Sequence, residues 1–407
     1  MYKFEANSTH QDTFIVTGDI IAMWLRDSTN QVLPYIKFAD KDDHLKNMLR
    51  GVISRQAKSV LIDTYANAFQ LEGSGPSPHS DDITTKPTFA GAQLDAMTLP
   101  IFERKYEVDS LANVLKLSGD YYSQVGDLTP FNGDWLQAVN LIVNTFLEQQ
   151  TGSMESSFPY RFQKHTTQQR ETLQNGVGAP GKFTGMIMTA FRPSDDAHVF
   201  PYNIPQNALA VTALRGVLPI LQKKGADKLI TKVKNLADEA DKGIKQHGIV
   251  NHTVVGKVYA YEVDGYGSFL FMDDANLPSL LSLPVFGYVS VNDSLYINTR
   301  KAVLSQSNPW FFSGSAGQGV GSPHTGLGAI WPLSVITQGM TSTSDTEIMD
   351  CISTLMDTTA GTGLMHESFT RNDATVFTRR WFAWANTMFG EFILQIATKR
   401  PHLIFNT

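Results

Sequence analysis

The spacing of the apolar residues constrains the fold most strongly. In five segments they recur three and four positions apart, the period that places them on one face of an α-helix. The segments lie at 45–60, 135–146, 211–221, 229–244 and 381–393. Strand patterns are few, and the best candidate is a short hairpin over 252–261. The sequence therefore predicts an all-α protein of roughly ten or more helices with minor β-hairpin content.

Long loops rich in Gly, Ser, Pro and Asp separate these helices, and each also holds aromatic or charged residues. They lie at 72–91, 174–198, 264–279, 312–328 and 359–374. Loops of this kind carry function when a helical scaffold gathers them at one rim. No repeat of the length typical of solenoids is present. We therefore expect helical hairpins closed into an α/α barrel.

Charge and composition exclude several classes of partner. The net charge is −6, from 33 basic and 39 acidic residues, with none of the basic clusters that nucleic-acid binding requires. The uninterrupted apolar stretches are too short to span a bilayer, so we expect no membrane insertion. The lone cysteine, Cys351, lies in an apolar helical stretch and is expected to be buried and inert.

Location is predicted to be cytoplasmic, because the chain opens on a polar segment and has a single cysteine. Glycosylation sequons begin at Asn7, Asn251 and Asn292. They keep the secretory pathway open as an alternative, in which an N-terminal leader has been removed.

The segment Thr17–Ser28 is the first that can carry chemistry. Arg26 and Asp27 lie next to Trp24, and a carboxylate beside an indole ring suits a pyranose. Asp19 is expected to cap a helix that begins there. The structural alternative is a cap and an ion pair beside a core tryptophan.

A pair of adjacent carboxylates, Asp195 and Asp196, follows Arg192-Pro193-Ser194. Neighbouring carboxylates repel, so one of them is expected to keep its proton and to be able to act as a general acid. Arg192 is expected to hold the other in its ionised form. A helix N-terminus with two acidic residues is an equally common explanation.

A second pair, Asp273 and Asp274, is followed by Asn276 in an apolar setting. A polar sugar site and a calcium site both use such oxygen atoms. The spacing does not match an EF-hand loop, which places ligands at alternate positions and a glutamate at the end.

Glu367 follows His366 in a glycine-rich segment. A glutamate in such a place can hold and deprotonate a water molecule. No second histidine lies four residues further on, so the metalloprotease pattern is absent. His324, in another loop, is expected to bind a hydroxyl group, although a lone histidine is more often structural.

Other reactive motifs are missing from the sequence. It has no Gly-x-Ser-x-Gly elbow, no phosphate-binding Gly-x-x-x-x-Gly-Lys and no Rossmann fingerprint. Carboxylates, aromatic rings and a few histidines remain, and these are the groups that glycoside hydrolysis uses.

Five strings in order closely resemble glycoside hydrolase family 125, the exo-α-1,6-mannosidases, from about residue 13 to the C-terminus. They are Thr17-Gly18-Asp19-Ile20 with Met23-Trp24-Leu25-Arg26-Asp27-Ser28, Arg104-Lys105-Tyr106-Glu107-Val108-Asp109-Ser110-Leu111, Phe191-Arg192-Pro193-Ser194-Asp195-Asp196-Ala197, Met272-Asp273-Asp274-Ala275-Asn276 and His366-Glu367-Ser368-Phe369.

The resemblance implies an (α/α)6 barrel, a six-hairpin toroid that removes terminal α-1,6-linked mannose with inversion, with no metal or other cofactor. By motif, the general acid is Asp195 or Asp196, with Asp195 favoured, and the general base is Glu367. The implied partner is an α-mannoside oligosaccharide, from an N-glycan or a mannan. The implied sugar-binding residues are Trp24, Arg26, Asp27, Arg192, Asp274, Asn276, His324 and His366, with Trp310 and Phe311 as further walls.

We expect one catalytic domain over residues 1–407. Family members carry a further helical segment before the first motif, so the expected domain lacks that segment. Two alternatives stay open: another (α/α)6 sugar hydrolase or phosphorylase, and a glycan-binding protein without activity. A phosphorylase needs an anion site where a hydrolase holds water, and a pure binder needs neither catalytic carboxylate.

Overall fold

A computed structural model of the protein describes residues 2–6, 11–85, 94–154 and 160–405. The backbone groups into two compact units. Unit 1 comprises Met1–Gly248 and Glu262–Leu270, and unit 2 comprises Ile249–Tyr261 and Phe271–Thr407. The expectation of a single catalytic domain stays a prediction.

Helices dominate both units in the described residues. Unit 1 contains α1 (Leu25–Val32), α2 (Asp43–Ile62), α3 (Val108–Val125), α4 (Gly133–Glu148), α5 (Ile204–Lys223) and α6 (Asp227–His247). Unit 2 contains α7 (Ser294–Val303), α8 (Pro332–Met340), α9 (Asp345–Asp357) and α10 (Ala383–Lys399). Short 3-10 helices lie at Leu33–Lys41, Gln169–Glu171, Gln174–Gly176 and Pro401–Leu403.

The strands are short and form small antiparallel sheets. In chain order they are β1 (Tyr2–Ala6), β2 (Gln11–Ile15), β3 (Met23–Trp24), β4 (Ala68–Phe69), β5 (Ile83–Thr85), β6 (Leu94–Ala96), β7 (Ile101–Glu103), β8 (Phe162–Gln163), β9 (Tyr202–Asn203), β10 (Ile249–His252), β11 (Gly256–Tyr259), β12 (Glu262–Val263), β13 (Phe269–Leu270), β14 (Phe311–Ser313), β15 (Gln318–Val320), β16 (Ala329–Ile330), β17 (Ser368–Thr370) and β18 (Asp373–Thr378). The sheets pair as β1-β2, β3-β4-β7, β6-β5-β8, β13-β12-β9, β10-β11, β14-β15 and β16-β17-β18.

Helix α5 is the central helix of unit 1 and packs against α3 and α6. Its start is fixed by Asn203, whose side chain accepts a hydrogen bond from the Gln206 amide, with Pro205 in the first turn. Gly119 of α3 faces Gly216 of α5, and a Cβ on Gly119 would lie 3.0 Å from the Gly216 backbone. Glycine is therefore required for the two helices to approach this closely.

Among the described residues, α5 is the one helix long and apolar enough to cross a membrane by length and composition. Of its most apolar window, 72% is buried. Such burial is typical of a core helix, and α5 takes that place in unit 1.

Helices α8, α9 and α10 form the core of unit 2, around Trp331, Trp384 and Phe392. Gly339 of α8 lies under the Phe392 ring, where a Cβ would come within 2.3 Å of a ring carbon. Cys351 of α9 is buried in this core, as predicted.

The five helices predicted from apolar spacing are confirmed as α2, α4, α5, α6 and α10. The hairpin predicted over 252–261 is confirmed as β10-β11, which begins earlier, with Ile249 paired to Tyr259. The helix start predicted at Asp19 is wrong, because α1 begins at Leu25 with Trp24 as its N-cap. Met23 and Trp24 pair with β4, so the chain is extended until that pairing ends.

Candidate active site

The paired carboxylates of unit 1 lie in a tightly closed loop, here called the carboxylate loop (residues 191–200). Arg192 N–H donates to the Asp196 carbonyl at 2.8 Å, and Asp195 N–H donates to the Arg192 carbonyl at 2.9 Å. A bridge between Phe191 and Ala197 closes its ends. Asp195 has φ +63°, a left-handed conformation that costs energy for a residue other than glycine. The loop therefore holds Asp195 at a defined, strained position.

Asp195 is the more accessible of the two carboxyl groups. Its side chain is 21% exposed, whereas Asp196 is 1% exposed. A group that exchanges a proton with a substrate must reach it, so the geometry favours Asp195 over Asp196 as an acid.

The Arg26 guanidinium donates hydrogen bonds to three carboxyl groups beside this loop. Arg26 Nη2 donates to Asp195 Oδ1 at 2.9 Å, while Nη1 donates to Glu107 Oε2 at 2.6 Å and to Asp109 Oδ2 at 3.1 Å. Asp27 Oδ2 lies 3.6 Å from Arg26 Nε. Arg26, in the first turn of α1, thus connects Asp195 to the start of α3.

Asn67 provides a second shared donor. Its Oδ1 accepts a hydrogen bond from the Lys105 amide at 3.1 Å, which fixes the orientation of the side-chain amide. Its Nδ2 then lies 2.7 Å from Glu103 Oε2, 3.2 Å from Asp195 Oδ1 and 3.3 Å from Glu107 Oε1.

The electrostatics of this cluster favour protonated carboxyl groups. Burial raises the pKa of Glu107 well above its usual value, Arg26 opposes the shift, and the Asp195 and Asp109 charges add to it. Burial likewise raises the pKa of Asp109 to about 6 against the opposing effect of Arg26. For Arg26, burial favours the neutral form, but Glu107 and the other carboxylates outweigh it and raise the guanidinium pKa. The cluster therefore retains protons that exposed carboxyl groups would lose.

A buried lysine supports the loop from its backbone side. Lys105 Nζ donates to the Asp195 carbonyl oxygen at 2.9 Å and to Glu171 Oε2 at 2.9 Å, and it lies 3.1 Å from Glu103 Oε1. Burial opposes its charge, but the attraction of Glu103, Asp195 and Glu171 outweighs burial and holds the pKa of Lys105 above its usual range.

The far side of the carboxylate loop is fixed by Glu262 of β12. Glu262 Oε1 accepts from Arg192 Nε at 2.6 Å, and Oε2 accepts from the Val199 and Phe200 amides at 2.9 and 3.0 Å. His198 lies buried in the same loop, and burial lowers its pKa to about 4. The guanidinium on Asp195 Oδ1 is that of Arg26, and the expectation that Arg192 holds one carboxyl group of the pair in its ionised form stays a prediction.

The other residues predicted for sugar binding in unit 1 are also buried in supporting contacts. Trp24 packs edge-on against Phe102, with ring centroids 5.3 Å apart. Asp27 Oδ1 accepts from the Thr17 hydroxyl at 3.0 Å. Arg26 and Arg192 thus support the loop, Trp24 and Asp27 pack beside Phe102, Thr17 and Arg26, and sugar binding by all four stays a prediction.

In unit 2 the predicted base lies in the glutamate segment (residues 362–380), which contains β17 and β18. Glu367 precedes β17, and its amide donates to the Thr378 carbonyl at 3.3 Å. Its Oε1 lies 3.7 Å from Arg379 Nη1. Arg379 has φ +44° and lies over the Phe382 ring at 4.8 Å. The backbone pairing therefore positions Glu367, and one guanidinium lies beside its carboxylate.

His366 is buried, and its ring contacts the backbone of its own segment. Nδ1 lies 3.1 Å from the Arg380 carbonyl oxygen, and Nε2 lies 3.1 Å from the Thr359 carbonyl oxygen. The ring stacks on Phe377 at 3.7 Å between centroids. These contacts make His366 a support for Glu367, and its predicted contact with substrate stays a prediction.

The side chains of Asp273 and Asp274 accept hydrogen bonds from different segments of unit 2. Asp273 accepts from the Leu280 and Leu281 amides at 2.7 and 2.9 Å, and burial raises its pKa to about 8. Asp274 Oδ1 accepts from the backbone and side chain of Asn276 at 3.0 Å, and Oδ2 accepts from the Ser322 hydroxyl at 3.1 Å.

His324 and Trp310 are only half-buried. The His324 ring meets Trp331 edge-on with centroids 6.3 Å apart, and Trp310 meets Phe312 at 6.1 Å. Phe311, in β14, is also half-buried. Of the predicted sugar-binding residues in unit 2, His324, Trp310 and Phe311 are therefore more accessible than Asp274, Asn276 and His366, which are buried.

His79, Asp82 and Glu103 are the residues that could hold a metal ion among those described, with ligand atoms within 4.8 Å of one another. Lysine ammonium groups balance the negative charge of this cluster. Lys164 Nζ lies 3.0 Å from Asp82 Oδ1 and 3.3 Å from His79 Nδ1, and Lys105 Nζ lies near Glu103 as described above. The chain itself therefore provides the positive charge that these carboxylates require.

Sequence reasoning missed several residues of the site: Asn67, Lys105, Glu107, Asp109, Glu262 and Arg379. Three of them stand in the string Arg104–Leu111, which carried part of the family resemblance without an assigned role. Asn67 and Glu262 have no local motif, because their partners lie far away in the chain.

Two solved structures resemble this chain at the level of the fold alone. A bacterial glucoamylase bound to acarbose is 13% identical with a TM-score of 0.58, over 92% of this chain and 48% of that chain. A GH63 mannosylglycerate hydrolase from Thermus thermophilus is 9% identical with a TM-score of 0.51, over 94% of this chain and 95% of that chain. The predicted (α/α)6 fold is confirmed.

The sequence model of the metal-independent α-mannosidases, glycoside hydrolase family 125, matches residues 2–394. A structure of such a mannosidase from Streptococcus pneumoniae, in a non-productive complex with α-1,6-mannobiose, is 39% identical with a TM-score of 0.90, over 96% of this chain and 89% of that chain. The Meiotically up-regulated gene 157 protein of Schizosaccharomyces pombe is 44% identical over 98% of this chain and 79% of its own length. The chain belongs to glycoside hydrolase family 125, and the prediction of an α-mannosidase is confirmed.

Proposed function

We propose that this α-mannosidase removes terminal α-1,6-linked mannose from an oligosaccharide with inversion, with Asp195 as general acid and Glu367 as general base. The observation that carries the linkage is the similarity to the S. pneumoniae enzyme, whose structure holds α-1,6-mannobiose. The similarity covers nearly the whole chain at 39% identity, which supports a shared substrate class. That protein is described in connection with N-linked glycans, so an N-glycan arm is the substrate to test first.

The acid assignment is supported by the geometry of the carboxylate loop. Asp195 is the partly exposed carboxyl group of its pair, and Arg26 and Asn67 both hold its Oδ1. A carboxyl group fixed through one oxygen keeps its direction while the other exchanges a proton. In the inverting reaction this proton passes to the glycosidic oxygen as the bond to the anomeric carbon breaks.

The base assignment is supported by the environment of Glu367. Arg379 and the backbone pairing with Thr378 hold the carboxylate at the edge of β17, where it can accept a proton from water. That water attacks the anomeric carbon from the face opposite the leaving group, so β-mannose forms first. His324, which is half-buried and can donate or accept a hydrogen bond, is proposed to bind a hydroxyl group of the mannose.

Proton NMR of the anomeric signals tests this proposal on α-1,6-mannobiose. We expect β-mannose as the first product, with α-1,2- and α-1,3-mannobiose cleaved far more slowly. First-formed α-mannose would contradict inversion, and mannose 1-phosphate formed on addition of phosphate would identify a phosphorylase. Binding without turnover would favour the inactive glycan-binding alternative.

A matched pair of variants tests the base. Glu367→Gln is expected to abolish product formation. Asp373→Asn also replaces a carboxylate by an amide, at an exposed position of β18. It is expected to leave the rate unchanged. Full activity of Glu367→Gln would move the base to another residue.

A further inference from the structure

Two carboxyl groups in unit 1 compete for the same two donors. Arg26 donates through Nη1 to Glu107 and through Nη2 to Asp195. Asn67 Nδ2 lies within 3.3 Å of Glu107 and 3.2 Å of Asp195. Whichever of the two carboxyl groups is ionised gains more from these donors. Glu107 and Asp195 therefore act as one coupled pair.

A general acid beside an arginine poses an electrostatic problem. Arg26 favours the ionised form of Asp195, whereas the acid must carry a proton before the glycosidic bond breaks. The charged groups around Asp195 in unit 1 come from several elements. They are Arg26 and Asp27 of α1, Glu107 and Asp109 at the start of α3, Lys105 at the Asp195 carbonyl, and Glu103 and Glu171, which reach it through Asn67 and Lys105. Of the carboxylates, Glu107 shares both donors with Asp195 and so offsets Arg26 most directly.

Asn67 Nδ2 has two hydrogen atoms but lies within 3.3 Å of three carboxyl groups, those of Glu103, Asp195 and Glu107. Two carboxyl groups that share donors at this range do not ionise independently, so one of them keeps its proton to a higher pH. Glu107 is 1% exposed, and Ser110 Oγ donates to its Oε2 at 2.7 Å. The proton is therefore held between a buried carboxyl group and one that is partly open to solvent.

We propose that Glu107 is a positioning residue for Asp195, which occupies the Arg26 and Asn67 donors and shares one proton with the acid. The pair thereby keeps one proton that Asp195 can deliver when the reaction begins. Asp195 transfers that proton to the glycosidic oxygen as the bond to the anomeric carbon breaks, and the new carboxylate then takes up the Arg26 and Asn67 donors. Water returns the proton after the product leaves. This inference rests on the proposed function, in which Asp195 is the acid.

The test is the pH dependence of kcat/KM in Glu107→Gln, with α-1,6-mannobiose and α-mannosyl fluoride. An acid must be protonated, so activity is lost as pH rises through its pKa. Without the Glu107 charge, Arg26 holds Asp195 ionised more strongly, and the basic limb should move to lower pH by about one unit. At neutral pH, mannobiose cleavage should fall about tenfold or more. Fluoride is a good leaving group without a proton, so its release should change less than about threefold.

Two further variants separate this role from a structural one. Asp109→Asn removes another Arg26 partner, and we expect a smaller shift of the basic limb. An equal shift would attribute the effect to net charge and overturn the shared proton. Ser110→Ala removes a donor to Glu107 and draws the shared proton toward that residue, so mannobiose cleavage should slow at every pH while the basic limb does not move to lower pH. If Glu107→Gln does not fold, a Ser110→Ala enzyme with the wild-type rate and pH profile overturns the proposal.

Failure of the inference can be distinguished from failure of the proposed function. Asp195→Asn should remove the basic limb and slow mannobiose cleavage about 100-fold or more, with fluoride turnover largely kept. A wild-type basic limb in Asp195→Asn would place the acid elsewhere. If Asp195→Asn behaves as expected but Glu107→Gln slows both substrates equally without moving the limb, the role of Glu107 is structural only.

Discussion

The carboxylate loop of unit 1 and the glutamate segment of unit 2 hold their key side chains by different means. The carboxylate loop depends on charge: Arg26, Lys105 and Glu262 each make buried ionic contacts around it. The glutamate segment depends mainly on strand pairing, on a stacked His366–Phe377 pair and on neutral amide contacts. Its guanidinium partner, Arg379, lies 3.7 Å from Glu367.

The difference fits the roles proposed for the two carboxyl groups. An acid has to be protonated at the start of each turnover, and neighbouring carboxylates make this possible by raising the energy of its ionised form. A base has to be ionised, and the Arg379 guanidinium lies 3.7 Å from the Glu367 carboxylate. Charge is therefore concentrated around Asp195.

The largest expected effect is a loss of activity in Glu367→Gln. Comparing two substrates with different leaving groups then tells whether Glu367 acts as a base or as an acid. Glu367→Gln should lower kcat by about 10²–10⁴-fold on mannobiose and on α-mannosyl fluoride alike, because water must be deprotonated in both reactions. Steady-state kinetics on the two substrates measure this. A loss confined to mannobiose would assign Glu367 the role of an acid and reverse the comparison.

The next effect tests the ionic support of the carboxylate loop. Lys105→Met leaves Glu103 and Glu171 without their buried ammonium partner, which should cost about 3–5 kcal/mol of unfolding free energy. Lys245→Met, on the surface of α6 where the 65% exposed Lys245 pairs with Asp241, should cost about 0.5 kcal/mol or less. Urea unfolding measures both, and equal losses would show that the buried network adds nothing.

A smaller effect tests the neutral support of the glutamate segment. Asn386 Oδ1 accepts from the Met365 amide at 3.0 Å, and Nδ2 donates to its carbonyl at 2.8 Å. Asn386→Ala leaves both groups unpaired and should cost about 1–3 kcal/mol. Asn386→Asp keeps the acceptor and should fall between the wild type and Asn386→Ala. A cost above that of Lys105→Met would contradict the view that the ionic support is the stronger.

The smallest effect concerns pH. The pKa of His198 in the folded protein is lowered to about 4, so the unfolded chain binds one more proton between about pH 6.5 and that value. Stability from this group is full above the unfolded pKa and is lost as pH falls, at up to about 1.4 kcal/mol per pH unit. His198→Gln should flatten this slope, as measured by unfolding between about pH 7 and pH 5. The exposed control His44→Gln should retain the wild-type slope, and equal slopes in all three proteins would contradict the burial argument.

Much of the fold was readable from local pattern. The three-and-four spacing of apolar residues located α2, α4, α5, α6 and α10, because a helix repeats its buried face at that period. The start of α1 was wrong because Met23 and Trp24 pair with β4, and a capping signal such as Gly18-Asp19 carries no information about a strand partner that lies far along the chain.

The candidate site was readable as chemistry but not as geometry. The sequence by itself determined the family and the helical class and gave Asp195, Asp196 and Glu367 as candidate catalytic carboxyl groups, because these depend on residue types in a fixed order. Only the tertiary structure decided that Arg26 pairs with Asp195, that Arg192 pairs with Glu262, and that Glu107 and Asn67 lie beside Asp195. Hydrogen bonds and buried charges depend on distances between side chains, and chain folding alone brings residues 26, 67, 107 and 195 within 3.3 Å contacts.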